Sequence, residues 1–190
     1  MGSLKELKKH LRQEALARRD ALDPQWCIEV SLGLVGAADN IDLSSGHIVS
    51  GFLPIRSEID LRPLMFALRE KGARLCVPAI LDKTTIAFRE LVRGAPLIDT
   101  GFGTSGPDED APVLEPDIML VPLAAFDNRG HRIGYGAGHY DRAIARLHDA
   151  GRKPMLIGTA FDCQLVQRVP DEPHDVVLDA VLTESGWRSF

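Results

Sequence analysis

A chain of 190 residues, 45% of them hydrophobic, is sized for one domain, read here as spanning 1–190, and carries enough apolar material to bury a core. Charged residues at 26% exclude a disordered polyelectrolyte, and a formal net charge of -5 argues against nucleic acid or a membrane surface as partner. Three scattered cysteines, Cys27, Cys76 and Cys163, match neither a disulfide framework nor a zinc spacing, and no apolar run resembles a signal peptide or a membrane span, so a cytoplasmic protein is expected.

Leu4, Leu7, Leu11, Ala15 and Leu22 recur at helical spacing and predict a helix over 3–22 with Ser3 as N-cap. That segment concentrates Lys5, Lys8, Lys9, Arg12, Arg18 and Arg19 against Glu6 and Glu14, a basic excess that an acidic chain does not need for solubility. Asp23-Pro24 ends this helix and starts a second, with apolar positions at Trp26, Ile28, Val30, Leu32 and Val35. A strand is predicted over 47–53, then a helix capped by Ser57 and running to Lys71, with Pro63 in its first turns and Gly72 closing it. Residues 74–78 and 85–91 read as strands joined either as a hairpin-like pair or by a broad connection.

Residues 94–116 hold Pro96, Gly101, Gly103, Gly106, Pro107, Pro112 and Pro116 around the acidic run Asp108-Glu109-Asp110. This is a long connection without evident structure, either a binding loop or lid, or a surface excursion. The continuous apolar run at 118–123 predicts a strand covered on both faces. A glycine- and charge-rich stretch follows, then a helix over 139–149 stopped by Gly151, and strands over 155–161 and 176–182. Strands alternating with helices predict an α/β fold: a three-layer αβα arrangement with a mainly parallel, helix-covered sheet of Rossmann-like topology.

The segment 120–142 carries the chemistry. It reads as a buried strand, a polar loop, three glycines at alternate positions (Gly134, Gly136, Gly138) and a helix start. Glycines there permit positive φ, so that successive N–H groups can converge on one anion, and the following helix N-terminus adds its own. Neither a Walker loop nor the G-x-G-x-x-G fingerprint is present, since position 139 is His. Spacing alone leaves two readings open, a phosphate cradle or a flexible turn whose glycines relieve crowding.

The run Phe126-Asp127-x-x-Gly130-x-Arg132-Ile133-Gly134-x-Gly136-x-Gly138-x-Tyr140-Asp141-Arg142 resembles the signature of the 5-formyltetrahydrofolate cyclo-ligase family, also called methenyltetrahydrofolate synthetases. Lys8-x-x-x-Arg12, Phe52-Leu53, Glu58-Ile59-Asp60 and Pro173-His174-Asp175 with Asp179 fall in the matching order, so the resemblance covers nearly the whole chain. It implies conversion of 5-formyltetrahydrofolate to 5,10-methenyltetrahydrofolate with hydrolysis of ATP to ADP and phosphate, with Mg²⁺ as the metal. In that chemistry the formyl oxygen attacks the γ-phosphorus, and the nitrogen at position 10 then closes the ring as phosphate leaves. No protein nucleophile is required; positioning and charge stabilisation carry the catalysis.

The resemblance further implies ATP contacts from Lys8, Arg12, Arg132, Gly134, Tyr135, Gly136, Ala137, Gly138, His139 and Tyr140. It implies folate contacts from Leu53, Glu58, Phe102 and Tyr140, and metal contacts from Asp141 and Asp175. Arg132 and Tyr140 are the candidate catalytic side chains. Each has a plainer alternative: Lys8 and Arg12 as a solvated basic face, Arg132 in a salt bridge to Asp127 or Asp141, Asp141 complementing a helix dipole, Glu58 as a helix-start acid, and Tyr140 packing its helix onto the sheet; Arg142 is either a nucleotide contact or a surface residue. Two positions depart from the family pattern: His139 stands where Tyr or Phe is common, and Tyr135 where a basic residue can occur. The remaining histidines, His10, His47, His131, His148 and His174, form no zinc-like cluster, and only His174 is a candidate for orienting the final loop. The partners implied are the two small-molecule substrates, with no nucleic acid and no membrane, and a monomer or weak homodimer. A non-catalytic binding paralogue, or an α/β isomerase or acyltransferase, would differ by lacking ATP-dependent turnover.

Overall fold

The computed structural model describes residues 3–101, 104–173 and 175–190. The apolar run near the middle of the chain becomes β7 (Ile118–Pro122), four of whose five residues are fully buried. It is flanked in parallel by β1 (Ile48–Ser50) on one side and β10 (Met155–Thr159) on the other. Outward from β1 come β2 (Arg74–Ile80), parallel, then β3 (Ile86–Glu90), antiparallel. Outward from β10 come β11 (Ala180–Thr183), parallel, then β12 (Gly186–Ser189), antiparallel. The expected mainly parallel sheet is present, with antiparallel strands confined to its edges.

Helices cover both faces. On one, α2 (Pro24–Gly33), the 3₁₀ helix 34–40 and α3 (Arg62–Glu70) pack against a core that includes Leu34, Leu64, Leu68, Val77 and Leu120. On the other, α4 (His139–Asp149) buries Ala143, Ile144 and Leu147 against Met119, Val121 and Phe88. The first helix, α1 (Leu4–Asp20), opens with the capping box of Ser3 and Glu6. It lies across the ends of the sheet, with Ala15 packed near Ala125, Ile133 and Val169. Among the described residues no helix is long and apolar enough to cross a membrane, and the three cysteines are free thiols.

Three expectations need correction. Ser57 caps nothing: α3 starts at Arg62, and the Ser57 hydroxyl donates to Asp20 instead. Proline is tolerated only in a helix's first turn, so Pro63 fixes the start near itself, and a helix begun at 57 would have lost a backbone bond there. The described residues of the 94–116 segment carry secondary structure. They contain β4 (Ile98–Gly101) and β5 (Thr104–Gly106), an antiparallel pair, and β6 (Val113–Leu114), which extends the sheet beyond β3. Arg89 holds the acidic run in place by donating to the carbonyls of Glu109 and Ala111. Residues 176–179 precede β11, which starts only at Ala180, and after a turn at 184–185 the added strand β12 begins at Gly186, whose φ of 107° favours glycine.

Strand order decides where a ligand can sit. From β1 the chain moves outward through α3 to β2 and β3, returns to β7 beside β1, and then moves the other way through α4 to β10. The carboxyl ends of β1 and β7 therefore diverge to opposite faces and leave a crevice between them, the usual ligand position in open α/β sheets.

Candidate active site

Two connections line this crevice, the one after β1 and the one after β7. After β1, the chain turns at Arg56, whose φ of 56° is left-handed. The turn is closed from both ends, Glu58 N donating to Ile55 O at 3.2 Å and Ile55 N donating to the Glu58 carboxylate at 2.8 Å. This fixes the backbone beneath Glu58. After β7, the short pair β8 (Ala125–Phe126) and β9 (Arg132–Ile133) is pinned by Asp127, which is fully buried. Asp127 accepts from Arg129 N and Nη2 at 2.9 and 2.8 Å, from Val169 N at 2.9 Å and from His131 N at 3.2 Å. Burial alone would raise its carboxyl; these donors outweigh that and hold it below the usual carboxylate range. Gly130 sits in this loop with φ 81°, where a Cβ would lie 2.9 Å from the carbonyl of Leu178.

β9 delivers Arg132 to the crevice, and the glycine turn follows. Gly136 (φ 104°) and Gly138 (φ 68°, the N-cap of α4) use left-handed backbone; Gly134 does not. Gly134 instead offers its carbonyl to Arg12 Nε at 2.7 Å, and the Arg12 guanidinium lies 3.6 Å from where a Gly136 Cβ would be. That is ordinary contact distance, so it is the left-handed φ at 136, and not space for the guanidinium, that calls for glycine there.

Two cavities meet here. The larger, about 350 Å³, is walled by Leu53 and Glu58, by Pro78 and Ile80 of β2, by Thr100 and Thr104, and by Tyr135, Ala137, His139 and Tyr140. The smaller, about 150 Å³, is walled by Lys8, Arg12, Gly136 and Asp175. Both include Arg132, Gly134, Gly138 and Asp141, so these four form the shared wall. Beyond that shared wall, the larger cavity is largely apolar with one carboxylate, Glu58, and the smaller adds two cations, Lys8 and Arg12, and one carboxylate, Asp175. A flat heteroaromatic molecule suits the first and a polyphosphate the second.

Residues 4–184 match the 5-formyltetrahydrofolate cyclo-ligase family. The chain belongs to that family. Its similarity extends to the 5-formyltetrahydrofolate cyclo-ligase of Mycolicibacterium smegmatis, 34% identical over 147 residues, covering 73% of this chain and 74% of the relative. The Escherichia coli K12 enzyme of the same name is 32% identical over 145 residues, 73% and 79% of the two chains. The solution structure of Aquifex aeolicus 5,10-methenyltetrahydrofolate synthetase superposes with a TM-score of 0.80 at 27% identity, covering 96% of this chain and 92% of the other.

Within the cyclo-ligase frame, the expected site residues separate into two groups. Lys8, Arg12, Gly136 and Asp175 face the smaller cavity. Leu53, Glu58, Tyr135, Ala137, His139 and Tyr140 face the larger one, so four residues expected around the nucleotide, of which Tyr140 was expected at the folate as well, line the larger cavity and not the smaller. Phe102 and His174 lie outside the described residues. Of the two salt-bridge partners open to Arg132, the structure selects Asp141, with Nη2 at 2.6 Å, while Nη1 donates to Val176 O at 2.8 Å. Asp127 is committed to Arg129.

The flanking groups are held in place. Lys8 Nζ is 2.8 Å from Asp175 and 3.5 Å from Glu172. Desolvation pulls the ammonium pKa down, but Asp175 and Glu172 outweigh it and raise it. Burial, and then Glu58, push the Tyr140 phenol up; its hydroxyl is buried and among the described residues has no hydrogen-bond partner, while its ring meets Phe88 edge-on at 6.3 Å. Tyr140 therefore packs its helix against the sheet, with its ring on the wall of the larger cavity. Arg142 is a brace: it donates to Thr84 O at 2.7 Å and to Ala137 O at 2.5 Å. His139 Nε2 lies 3.1 Å from Lys83 O, and since a carbonyl only accepts, that nitrogen carries the proton.

Residues that sequence reasoning missed are the β2 and β5 contributions and Arg19. Pro78 and Ile80 end a strand whose last positions turn outward, and Ile80 remains 43% exposed, the mark of an apolar wall facing a cavity instead of a core. Arg19 gave no signal, being one more cation on a basic helix.

Proposed function

We propose that ATP lays its phosphates in the smaller cavity, that 5-formyltetrahydrofolate fills the larger one, and that the formyl oxygen meets the γ-phosphorus at their shared wall. The reaction of the family is ATP-dependent cyclisation of 5-formyltetrahydrofolate to 5,10-methenyltetrahydrofolate with release of ADP and phosphate. The observation that carries the assignment is the wall itself: Arg132 and Asp141 belong to both cavities. A guanidinium there can hold the transferred phosphoryl oxygens as charge develops on them. Lys8 and Arg12 neutralise the rest of the polyphosphate, and the backbone amides entering α4 add neutral donors.

Glu58 accepts the amino-pyrimidine edge of the pterin, and the buried Tyr140 hydroxyl donates toward the reacting oxygen. Bond formation at the nitrogen then needs only that the two substrates stay in line. The donor set fits Mg²⁺. Asp141 and Asp175 are hard oxygen donors on the smaller cavity, and among the described residues no group of three or more His, Cys, Asp or Glu could hold a metal alone. That suits a dication carried mainly by phosphate oxygens and water, which would supply charge neutralisation between phosphates. The test follows the absorbance of the methenyl product from 5-formyltetrahydrofolate with and without Mg-ATP. Product only with Mg-ATP supports the reading; nucleotide binding with flat absorbance refutes it.

A further inference from the structure

Arg19 lies 3% exposed, the most deeply buried cation near the crevice, and among the described residues no carboxylate is within salt-bridge distance of it. A guanidinium taken out of water without a counter-ion is costly unless its donors are fully used. Here Nη1 donates to the Tyr135 hydroxyl at 2.5 Å, Nε donates to Ser57 Oγ at 3.0 Å, and the guanidinium lies 5.7 Å from the centre of the Tyr135 ring. The Tyr135 oxygen accepts from Arg19, so its single proton is left for another acceptor, and the Glu58 carboxylate lines the same recess. Burial, then Glu58, raise the Tyr135 phenol against the opposing pull of Arg19, which keeps it protonated and able to donate. Ser57 repeats the pattern, accepting from Arg19 and donating to Asp20.

Arg19, Tyr135 and Glu58 line one small recess with Phe52 and Pro122, but only Tyr135 and Glu58 also reach the larger cavity. Arg12, seven residues earlier on the same face of α1, holds Gly134 O. One helix therefore holds the glycine turn at two adjacent residues, Gly134 through Arg12 and Tyr135 through Arg19.

We propose that Arg19 is a positioning residue for the folate: its guanidinium orients the Tyr135 hydroxyl, which in turn fixes the rotamer of the Glu58 carboxylate across the larger cavity. This rests on Glu58 being the pterin acceptor. Arg19 touches neither substrate, so its loss is felt in folate use and not in ATP use. A role limited to seating α1 would weaken both, since Lys8 and Arg12 ride on the same helix.

The test is steady-state kinetics of the full chain, titrating 5-formyltetrahydrofolate at saturating Mg-ATP and the reverse, for Tyr135→Phe, Arg19→Met, Arg19→Lys and Glu58→Gln, and for the first two changes combined with Glu58→Gln. Tyr135→Phe and Arg19→Met are expected to raise KM for the folate roughly 5- to 20-fold, with KM for ATP changed less than about 2-fold. In the Glu58→Gln background each adds less than about 2-fold, because the relay has lost its end. Arg19→Lys recovers part of the loss. If Arg19→Met does not fold, Tyr135→Phe decides alone, since it removes one oxygen from a surface turn. Equal defects toward both substrates, or full additivity with Glu58→Gln, overturn the relay while leaving the folate site standing. A Glu58→Gln enzyme with unaltered folate KM overturns both.

Discussion

Of the four residues common to both cavities, Arg132 alone carries a positive charge, and Arg132→Ala is the most informative single change. Its side chain is 5% exposed and donates to Val176 O at 2.8 Å and to Asp141 at 2.6 Å. Depriving the Val176 carbonyl of a charged donor costs about 1.5–3 kcal/mol. The pair with Asp141, whose side chain is 57% exposed, is screened by water and adds less than ~1 kcal/mol. The folded state should lose about 2–3 kcal/mol, a fall in Tm of roughly 5–10 °C for a chain of this size. The kinetic effect is larger. A preorganised donor on a transferring phosphoryl group is worth about 3–4 kcal/mol, so kcat/KM for ATP should drop on the order of 100- to 1000-fold. Arg132→Lys should recover about 10-fold of that, since an ammonium restores the charge but cannot span two acceptors. The assay is product absorbance at saturating folate with varied Mg-ATP, run well below the lowered Tm, alongside thermal melts. A folded Arg132→Ala enzyme with kcat/KM for ATP within 2-fold of wild type would refute the placement of the reacting phosphate.

Glu58→Gln should raise KM for the folate on the order of 10-fold and leave KM for ATP nearly unchanged, because the amide still accepts from Ile55 N but no longer offers a charged edge to the pterin; separate substrate titrations check this. Asp127→Asn should cost about 2–4 kcal/mol at neutral pH by urea denaturation, since an amide nitrogen cannot accept from Val169 N or Arg129. The folded Asp127 carboxyl titrates below its ordinary value. Its contribution is therefore present above the unfolded pKa, near 4, and is lost as pH falls through the folded value, so the gap between wild type and variant should narrow in acid. An unchanged gap at pH 3 would contradict that sign. Gly130→Ala should destabilise by about 2–4 kcal/mol, combining left-handed φ with a Cβ 2.9 Å from Leu178 O, and a Tm unchanged within experimental scatter would argue against the loop geometry.

The parts of the fold that were legible in the sequence are those built from local signals. Apolar periodicity and the glycines on either side reproduced α4 at 139–149, and the unbroken apolar run reproduced β7. Capping chemistry set the start of α1 at Ser3. What was not legible depends on partners distant in sequence. The strands β4, β5 and β6 are two to four residues long and exist because of each other and the free edge of β3, so no periodicity announces them. On α1, leucine spacing pointed to Leu4 and Leu7 as buried, yet they are 40% and 48% exposed; the helix turns Ala15 and Arg19 inward instead. A charged inward face has no sequence signature. The site followed the same division: the glycine turn and Arg132 were readable as a contiguous motif, whereas their partition between two cavities required β1 and β7 to lie side by side.

The hairpin tip between β2 and β3 bears on the catalytic turn although more than fifty residues separate them in sequence. Lys83 and Thr84 spend their carbonyls on His139 and Arg142, the first and fourth residues of α4, while Arg142 also reaches back to Ala137. That tip works as a splint across the mouth of the crevice. Most surface hairpins tolerate an inserted or deleted residue, but a change of length here would withdraw both carbonyls and let the glycine turn drift. Substitutions at 83 and 84 that keep the backbone path should be silent, and those that bend it should register as weakened nucleotide use.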